Sequence, residues 1–325
     1  MRQEEQLVYV VLVNFNGWRD TLECVESLRA MGSAKLRILV VDNASSDGSA
    51  DQLKRWAAEV GVELETLVAE AAWPSSKGTD LGSFTLIESL ANRGFSGGNN
   101  LAMSLLQSRE LSGFVWLLNN DMIAEPGSLE ALSRVAQDEG VGAVGAILLE
   151  YDQPNVVQAI AGGSVSHWHG MTSMLGAGMT RDRVPQHIMP VDFVSGGCLF
   201  TRTDVIAKVG LLDEGYFLYT EDVDWCERMR AAGYRVTYSV DARVRHKGGR
   251  SAAPQSAVHD YHIVRSSLRF VLRHARAYLP FAFAYSLYRC LLPKVVRGEW
   301  TRVRSVLRAY ADYAGGFRRA ASTST

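Results

Sequence analysis

Four polar clusters each stand directly behind a short apolar run, and their residue types suit a polar, phosphate-bearing ligand. Asn14-Phe15-Asn16-Gly17 closes the run Tyr9–Asn14, and Asp42-Asn43-Ala44-Ser45 follows Arg37–Val41. Asn92-Arg93-Gly94-Phe95-Ser96-Gly97-Gly98-Asn99-Asn100 follows Phe84–Ile87, and Asn119-Asn120-Asp121 follows Phe114–Leu118. Each cluster alone is an ordinary turn, but four at the ends of successive strands describe one crevice. Asp42 can accept hydrogen bonds from a ribose or a base edge. Arg93, with the backbone of Gly94, Gly97 and Gly98, can cradle phosphates at a helix start. Asp121 offers the hard oxygen that Mg²⁺ or Mn²⁺ uses when it bridges a carboxylate and a diphosphate. A fifth cluster, Glu221-Asp222-Val223-Asp224, lies where a helix begins. The helix dipole there favours ionised carboxylates, which either accept a proton in a reaction or only satisfy helix N–H groups.

The elements that must position these residues follow from the apolar pattern. Tyr9–Asn14, Arg37–Val41, Phe84–Ile87 and Phe114–Leu118 are apolar throughout, as strands covered on both faces are. Helices are predicted between them: one through Trp18, Leu22, Val25, Leu28 and Met31, one over Asp51–Val60, one over Gly97–Leu106, and one opened by Pro126. Trp73–Ser83 reads as a turn-rich loop. This alternation specifies an α/β fold with a mainly parallel central sheet. Beyond Glu150 the pattern changes. Gly162–Pro190 is predicted irregular with at most a hairpin, and Asp192–Thr201 is a strand interrupted by glycines. Thr203 is expected to cap a short helix. Glu221–Ala232 is a firm helix ended by Gly233, Arg235–Tyr238 a strand, Val244–Gly249 a basic turn, and the chain from about His259 helical. The predicted division is 1–255 for the α/β domain, with its ligand half about 1–125 and a second half about 126–255, and 256–325 for a helical extension.

The composition bounds the remainder. At 325 residues, 47% apolar and 21% charged, the chain has the make-up of a globular protein with a large core, which excludes collagen, coiled coil and wholesale disorder. Cys24, Cys198, Cys226 and Cys290 are widely separated, so neither a disulfide framework nor a zinc knuckle is indicated, and Cys198 and Cys226 read as buried small residues. His167 and His169 flank Trp168, but H-x-H without further ligands is poor zinc evidence, and SHWHG reads as a loop or a wall of the site. The N-terminus lacks the basic and apolar regions of a signal peptide, and no stretch is long and apolar enough for a confident membrane span, so the expected compartment is a reducing cytosol. The formal net charge of −1 conceals an asymmetry: His262–Arg319 carries twelve Lys and Arg against only Glu299 and Asp312. Tyr278–Tyr285 and Leu291–Leu292 interleave aromatic and aliphatic groups with these cations, which suits an anionic membrane surface better than nucleic acid. A helical cap on the domain, or a homodimer contact, is the plainer reading. No GxGxxG follows the first strand and no GxxxxGK[ST] occurs, so dinucleotide and P-loop fingerprints are missing.

The stretches VVLVNFNG, VVDNASSDGS, NRGFSGGNN, LLNND and FLYTEDVDWCERMRAAGY, in this order across residues 7–250, resemble the family 2 glycosyltransferases. The resemblance implies a GT-A, Rossmann-like fold for nucleotide-diphospho-sugars. NRGFSGGNN and EDVDWC within it look most like bacterial rhamnosyltransferases of cell-surface polysaccharide assembly. It implies that Asn14, Asp42, Asn43 and Ser45 meet the nucleotide, that Arg93, Gly94 and Asn99 lie near the nucleotide or donor, and that Asp222 is the catalytic base. The family's DxD reads here as Asn119-Asn120-Asp121. Its first aspartate is an asparagine, which weakens the case for strict metal dependence, although Asp121 with Mg²⁺ or Mn²⁺ on a diphosphate stays in play. His246 matches a histidine that in some members reaches metal or diphosphate; otherwise it is a surface histidine. Ser195, Gly196 and Gly197 would let a sugar approach the backbone. Glu221 and Asp224 would orient neighbours or cap the helix, and Trp225 would stack on a sugar or pack in the core.

The expected activity is therefore inverting transfer of a sugar, with dTDP-L-rhamnose as donor ahead of a UDP-hexose, to a saccharide or lipid-linked acceptor. The expected place is the cytoplasmic face of the cell membrane, held there by the basic tail. Two rivals stand beside it. A nucleotidyltransferase should carry a GxGxRL-type loop where this chain has NFNG, and a non-catalytic sugar-nucleotide or polysaccharide-binding module should tolerate Asp222→Asn.

Overall fold

The computed structural model describes residues 6–69, 73, 80–248 and 256–315. Its strands are β1 (Val8–Asn14), β2 (Leu36–Asp42), β3 (Leu64–Val68), β4 (Phe84–Glu88), β5 (Phe114–Leu118), β6 (Met122–Ala124), β7 (Val141–Glu150), β8 (Val157–Ile160), β9 (Gly162–Val165), β10 (Thr172–Met174), β11 (Phe193–Val194), β12 (Cys198–Arg202) and β13 (Arg235–His246). Its α-helices are α1 (Trp18–Arg29), α2 (Ser49–Glu59), α3 (Gly94–Ser108), α4 (Ser128–Ala136), α5 (Thr203–Val209), α6 (Glu221–Ala231), α7 (Ala257–His274), α8 (Leu279–Ser286), α9 (Leu292–Val296) and α10 (Trp300–Ala314).

One sheet organises the chain, in the order β3-β4-β2-β1-β5-β12-β7-β13-β6, with β8 paired on β7. Its first five strands are all parallel, so their carboxyl ends lie on one edge, as the sequence required of the polar clusters. Beyond β5 the sheet is mixed: β12 is antiparallel to both β5 and β7, while β13 is parallel to β7. A small second sheet, β10-β9-β11, flanks it. Both faces are covered, which is why the strands are apolar throughout. Along β1, Tyr9 and Val11 enter the core beneath α3, α6 and α7, whereas Val8, Val10 and Leu12 enter the core beneath α1, α2 and α4.

Several elements differ from the sequence reading. β3 is an edge strand with half-exposed alternating residues, so it has no continuous apolar run to announce it. β7, rich in Gly and Ala, was not anticipated as a strand, though it is the most buried one of the second half. α3 begins at Gly94 rather than Gly97, and α4 begins at Ser128, after Gly127 turns through φ 84°. Thr203 does not cap α5; it is the first helical residue, and its hydroxyl bonds the Gly113 backbone. The expected basic turn at Val244–Gly249 is, as far as His246, the end of a twelve-residue strand, and Gly249 lies outside the described residues. Most of the Trp73–Ser83 loop also lies outside them, as do Arg318 and Arg319.

The C-terminal helices pack onto the sheet domain. α7 buries Val264, Leu268, Phe270 and Val271, and even Arg265 is 1% exposed, with Nη1 donating to Gly215 O at 2.8 Å. Arg269 pairs with Asp213, and Arg302 and Lys294 with Asp260. Much of the positive charge that the sequence assigned to an outside partner is thus neutralised internally.

Candidate active site

The ends of β1, β2, β4 and β5 form one hydrogen-bonded rim. Asn14 stands at its centre: its Nδ2 donates to Asp42 Oδ1 at 2.7 Å and to Ser45 Oγ at 3.1 Å, and its Oδ1 accepts from Thr21 Oγ1 at 2.8 Å. Asn120 Nδ2 donates in turn to Thr21 Oγ1 at 2.9 Å, which ties the Asn119-Asn120-Asp121 turn to α1. Asp42 Oδ2 accepts from the Ser45 amide, so both its oxygens are fixed. Asn43 links β2 to the next cluster, accepting from Arg93 N and donating to Gly94 O and Asn92 Oδ1. Asn16 and Ala44 sit at φ 53° and 62°, a conformation that costs L residues energy and that this network holds in place.

Glycines set the close approaches. A Cβ on Gly94 would lie 2.2 Å from Phe217 O, and one on Gly98 would lie 2.8 Å from Val13 Cγ1. The NRGFSGGNN run therefore lets α3 begin flush against β1 and against the loop before α6. That loop is bonded to α3 through Phe95 N–Phe217 O, Ser96 Oγ–Tyr216 O and Asn100 Nδ2–Leu212 O. Arg93 is exposed at the α3 start. Asn99 is not: it is buried and donates to Phe95 O within its own helix, so it stiffens the first turn of α3 rather than facing a ligand.

The carboxylate cluster faces this rim across Ser195-Gly196-Gly197. Asp222 Oδ2 accepts from Gly196 N at 2.8 Å and its Oδ1 from Val223 N at 2.8 Å. A Cβ on Gly196 would come within 3.2 Å of Asp222 Cβ, and one on Gly197 within 3.1 Å of Asn119 Nδ2. Gly197 O also accepts from Asn119 N at 2.8 Å, so the glycine pair joins the base candidate to the β5 end. Burial raises the pKa of Asp222 above the ordinary aspartate value, against the two amide bonds that lower it. Glu221 is raised well above its ordinary value by burial and by the neighbouring Asp222 charge, and its Oε2 has no hydrogen-bond partner. Tyr219 and Thr220 precede them at φ 67° and 71°, two successive left-handed residues that aim the first turn of α6. α7 clamps this strained entry: Ser266 Oγ donates to Leu218 O at 2.9 Å, and His262 stacks on Phe217 with centroids 5.1 Å apart.

Asp224 of the cluster, and Trp225 beside it, point elsewhere. Trp225 is fully buried, its indole N–H donating to Gly210 O at 2.9 Å, so it packs the core and offers no face to a sugar. Asp224 is fully buried among Arg228 (2.9 Å), Arg273 (3.2 Å) and His274 (2.7 Å). Burial pushes its pKa up, but the His274 bond and the two guanidinium charges outweigh that and hold it below the ordinary range. Nothing near Asp224 in the chain announces these partners, because Arg273 and His274 lie on α7, some 50 residues away.

Asp121 and His246 meet at the other end of the rim. His246 Nδ1 and Gln158 Oε1 are 2.6 Å apart, and an amide oxygen only accepts, so the ring proton sits on Nδ1. His246 Nε2, buried and without a hydrogen bond, faces Asp121 Oδ1 at 3.3 Å, and in the neutral ring it is an acceptor. Two acceptors converging in this way suit a shared cation. Among the described residues no group of three or more His, Cys, Asp or Glu could hold a metal by itself.

Comparison with known proteins agrees with this geometry. Residues 5–260 match the model of glycosyltransferase like family 2, and the chain belongs to that family. It is 26% identical over 269 residues to the N-acetylglucosaminyl-diphospho-decaprenol L-rhamnosyltransferase of Mycobacterium tuberculosis, covering 77% of this chain and 79% of that protein. Among solved structures it resembles GalNAc-T7 with UDP, GalNAc and Mn²⁺ (13% identity, TM-score 0.64, 96% of this chain and 57% of that one). It also resembles the mannosyltransferase PcManGT of Pyrobaculum calidifontis with GDP-Man and Mn²⁺ (16% identity, TM-score 0.56, 97% and 76%). The fold is GT-A, and the protein is a family 2 glycosyltransferase with rhamnosyltransferase relatives.

Proposed function

We propose that this glycosyltransferase moves L-rhamnose from dTDP-L-rhamnose, with inversion, to a saccharide carried on a lipid diphosphate, in cell-surface polysaccharide assembly. The observation that carries the reading is the placement of Asp222. Its carboxylate is held by Gly196 N and Val223 N at the mouth of α6, beside the polar strand ends, and its pKa is raised. A carboxylate of raised pKa is a better proton acceptor once ionised. The acceptor hydroxyl loses its proton to Asp222 as its oxygen forms a bond to the anomeric carbon. The bond from that carbon to the diphosphate breaks on the opposite face, and the nucleoside diphosphate leaves with the electron pair. Asp42, Asn43, Ser45 and the backbone from Arg93 to Gly94 hold the nucleotide, and the Arg93 side chain offers positive charge to the phosphates. Asp121 and His246 would hold Mg²⁺ or Mn²⁺, whose charge offsets that of the leaving diphosphate. The lipid-linked acceptor is supported by the name of the mycobacterial relative.

The same reading places the chain at the inner face of the membrane. No helix among the described residues is long and apolar enough to cross one. The chain from α8 to α10 nevertheless exposes Phe281, Tyr288, Leu292, Val296 and Trp300, interleaved along the sequence with exposed Arg289, Arg297 and Arg304. Large apolar groups among cations suit an anionic lipid surface.

Calorimetry against dTDP, UDP, GDP and their sugars, with and without Mn²⁺, tests the reading. dTDP-rhamnose should bind most tightly, Mn²⁺ should strengthen it, and Asp42→Ala should abolish it. Tighter binding of a UDP-sugar would overturn the donor assignment, and binding of no nucleoside diphosphate would overturn the catalytic reading.

A further inference from the structure

A second cleft, of about 410 Å³, opens between the β9–β10 hairpin and the C-terminal helices. Ser164, Ser166, Thr172 and Ser173 line it on the hairpin side, with Ser164 and Ser173 directly paired across the strands, and Arg289 lines it on the helical side. Arg289 is exposed and lies within the five-residue π-helical stretch Leu287–Leu291 between α8 and α9. Such widened turns redirect side chains and recur at functional sites. Here it delivers a guanidinium that, among the described residues, has no carboxylate within ion-pair distance, although most cations of these helices are paired. His169 closes one end, its ring stacked on Tyr285 at 4.0 Å. Burial holds the His169 pKa below its ordinary value, and its Nδ1 accepts from Met171 N, so the ring is neutral and adds no charge of its own.

The cleft has a polar end and an apolar rim. Trp168, next to His169, is 62% exposed and stacks on Tyr278 (5.6 Å, 6° between planes), with Phe281 at 6.5 Å. Tyr288, 64% exposed, adjoins Arg289. Of the SHWHG stretch, Ser166 and His169 line the cleft, while His167 turns away to pair with Glu227. The cleft also connects to the reaction centre through the backbone. β9 begins beside β11, with Gly162 opposite Val194, and Ser195 N donates to Ala161 O at 2.9 Å. Ser164 is three residues further along β9, about 10 Å at the rise of a strand. The serine-lined side of the cleft therefore starts about 10 Å along β9 from the Ser195-Gly196-Gly197 segment that bonds Asp222.

We propose that this cleft binds the diphosphate of the lipid-linked acceptor, with Arg289 and the paired Ser164 and Ser173 on the phosphates and the lipid chain leaving over Trp168, Tyr278 and Phe281. The proposal rests on the lipid-diphosphate reading of the acceptor. One cation with a bank of neutral donors fits a diphosphate. An exposed aromatic ridge beside it fits a hydrocarbon chain that enters from a bilayer.

The test uses the full chain and two soluble acceptors with the same N-acetylhexosamine, one on a short prenyl diphosphate and one on an uncharged alkyl aglycone. Wild-type enzyme should prefer the diphosphate acceptor. Arg289→Ala should raise its KM about tenfold, as loss of one charge-assisted contact does. It should leave the KM of the uncharged acceptor, the donor KM and the melting temperature unchanged, and Arg289→Lys should restore part of the preference. Equal effects on both acceptors, or none, would overturn the site. Calorimetry of geranyl diphosphate, with the donor site saturated by nucleoside diphosphate, reads the cleft without turnover. Binding weakened by Arg289→Ala supports the proposal. Binding abolished by Asp42→Ala but indifferent to Arg289 would place the ligand in the donor site and overturn it. Failure of all sugar transfer, with this binding intact, would instead count against the proposed activity.

Discussion

Asp222 and Asp224 leave the same turn of α6 on opposite sides and meet opposite surroundings. Two residues of an α-helix are about 200° apart, so they cannot share an environment. Asp222 faces Gly196, where it accepts from two main-chain amides beside Glu221, and burial raises its pKa. Asp224 reaches into the interface with α7, where His274, Arg228 and Arg273 lower its pKa. One side chain is left ready to take a proton, and the other is locked as an anion. The comparison teaches that one acidic helix start can hold two devices: the proposed base, and the tether that fixes the helix against the C-terminal segment.

The largest expected effect is on turnover. Asp222→Asn should lower kcat by about 10²–10⁴, the usual contribution of a general base, with donor affinity unchanged by calorimetry. Asp224→Ala should act on the fold instead. It leaves two guanidinium groups and an imidazole facing a buried void, and loss of one partner of a buried ion pair costs about 3–5 kcal/mol by denaturant titration. His274→Ala removes a single partner of Asp224, and the same titration should find about 1–3 kcal/mol.

The pH dependences should diverge as well. Asp222 must be ionised to accept a proton, so kcat/KM should fall on acidification through a pKa above that of an ordinary aspartate, and the rate profile reads it directly. For stability the signs are opposite. A lowered folded pKa makes Asp224 stabilising above its unfolded value, with that contribution lost as pH falls through the folded one. A raised folded pKa makes Asp222 and Glu221 destabilising as pH rises past their unfolded values. Asp222→Asn should therefore melt no lower than wild type at neutral pH, whereas Asp224→Ala should melt well below it.

The sequence made one side of this comparison legible and hid the other. Continuous apolar runs announced β1, β2, β4 and β5, and the polar residues at their ends identified the crevice, because a parallel sheet puts all carboxyl ends on one edge. β3 escaped because an edge strand alternates, and β7 because its small residues carry a weak apolar signal. Asp222 was legible through its motif. The role of Asp224 was not, because its partners come from a helix far along the chain. The basic tail was legible only in part for the same reason: a count of charges cannot tell Arg265, buried under the loop before α6, from Arg289, exposed beside the second cleft.

The central claim is that Asp222 takes the acceptor proton while Asp224 only holds the helix. Single-turnover transfer from the donor that binds, to a lipid-diphosphate N-acetylhexosamine, should be compared in wild type, Asp222→Asn and Asp224→Asn at saturating donor. The expected result is loss of transfer in Asp222→Asn with donor still bound, and retained transfer per folded molecule in Asp224→Asn. Transfer at the wild-type rate by Asp222→Asn, or its loss in a folded Asp224→Asn, would contradict the account.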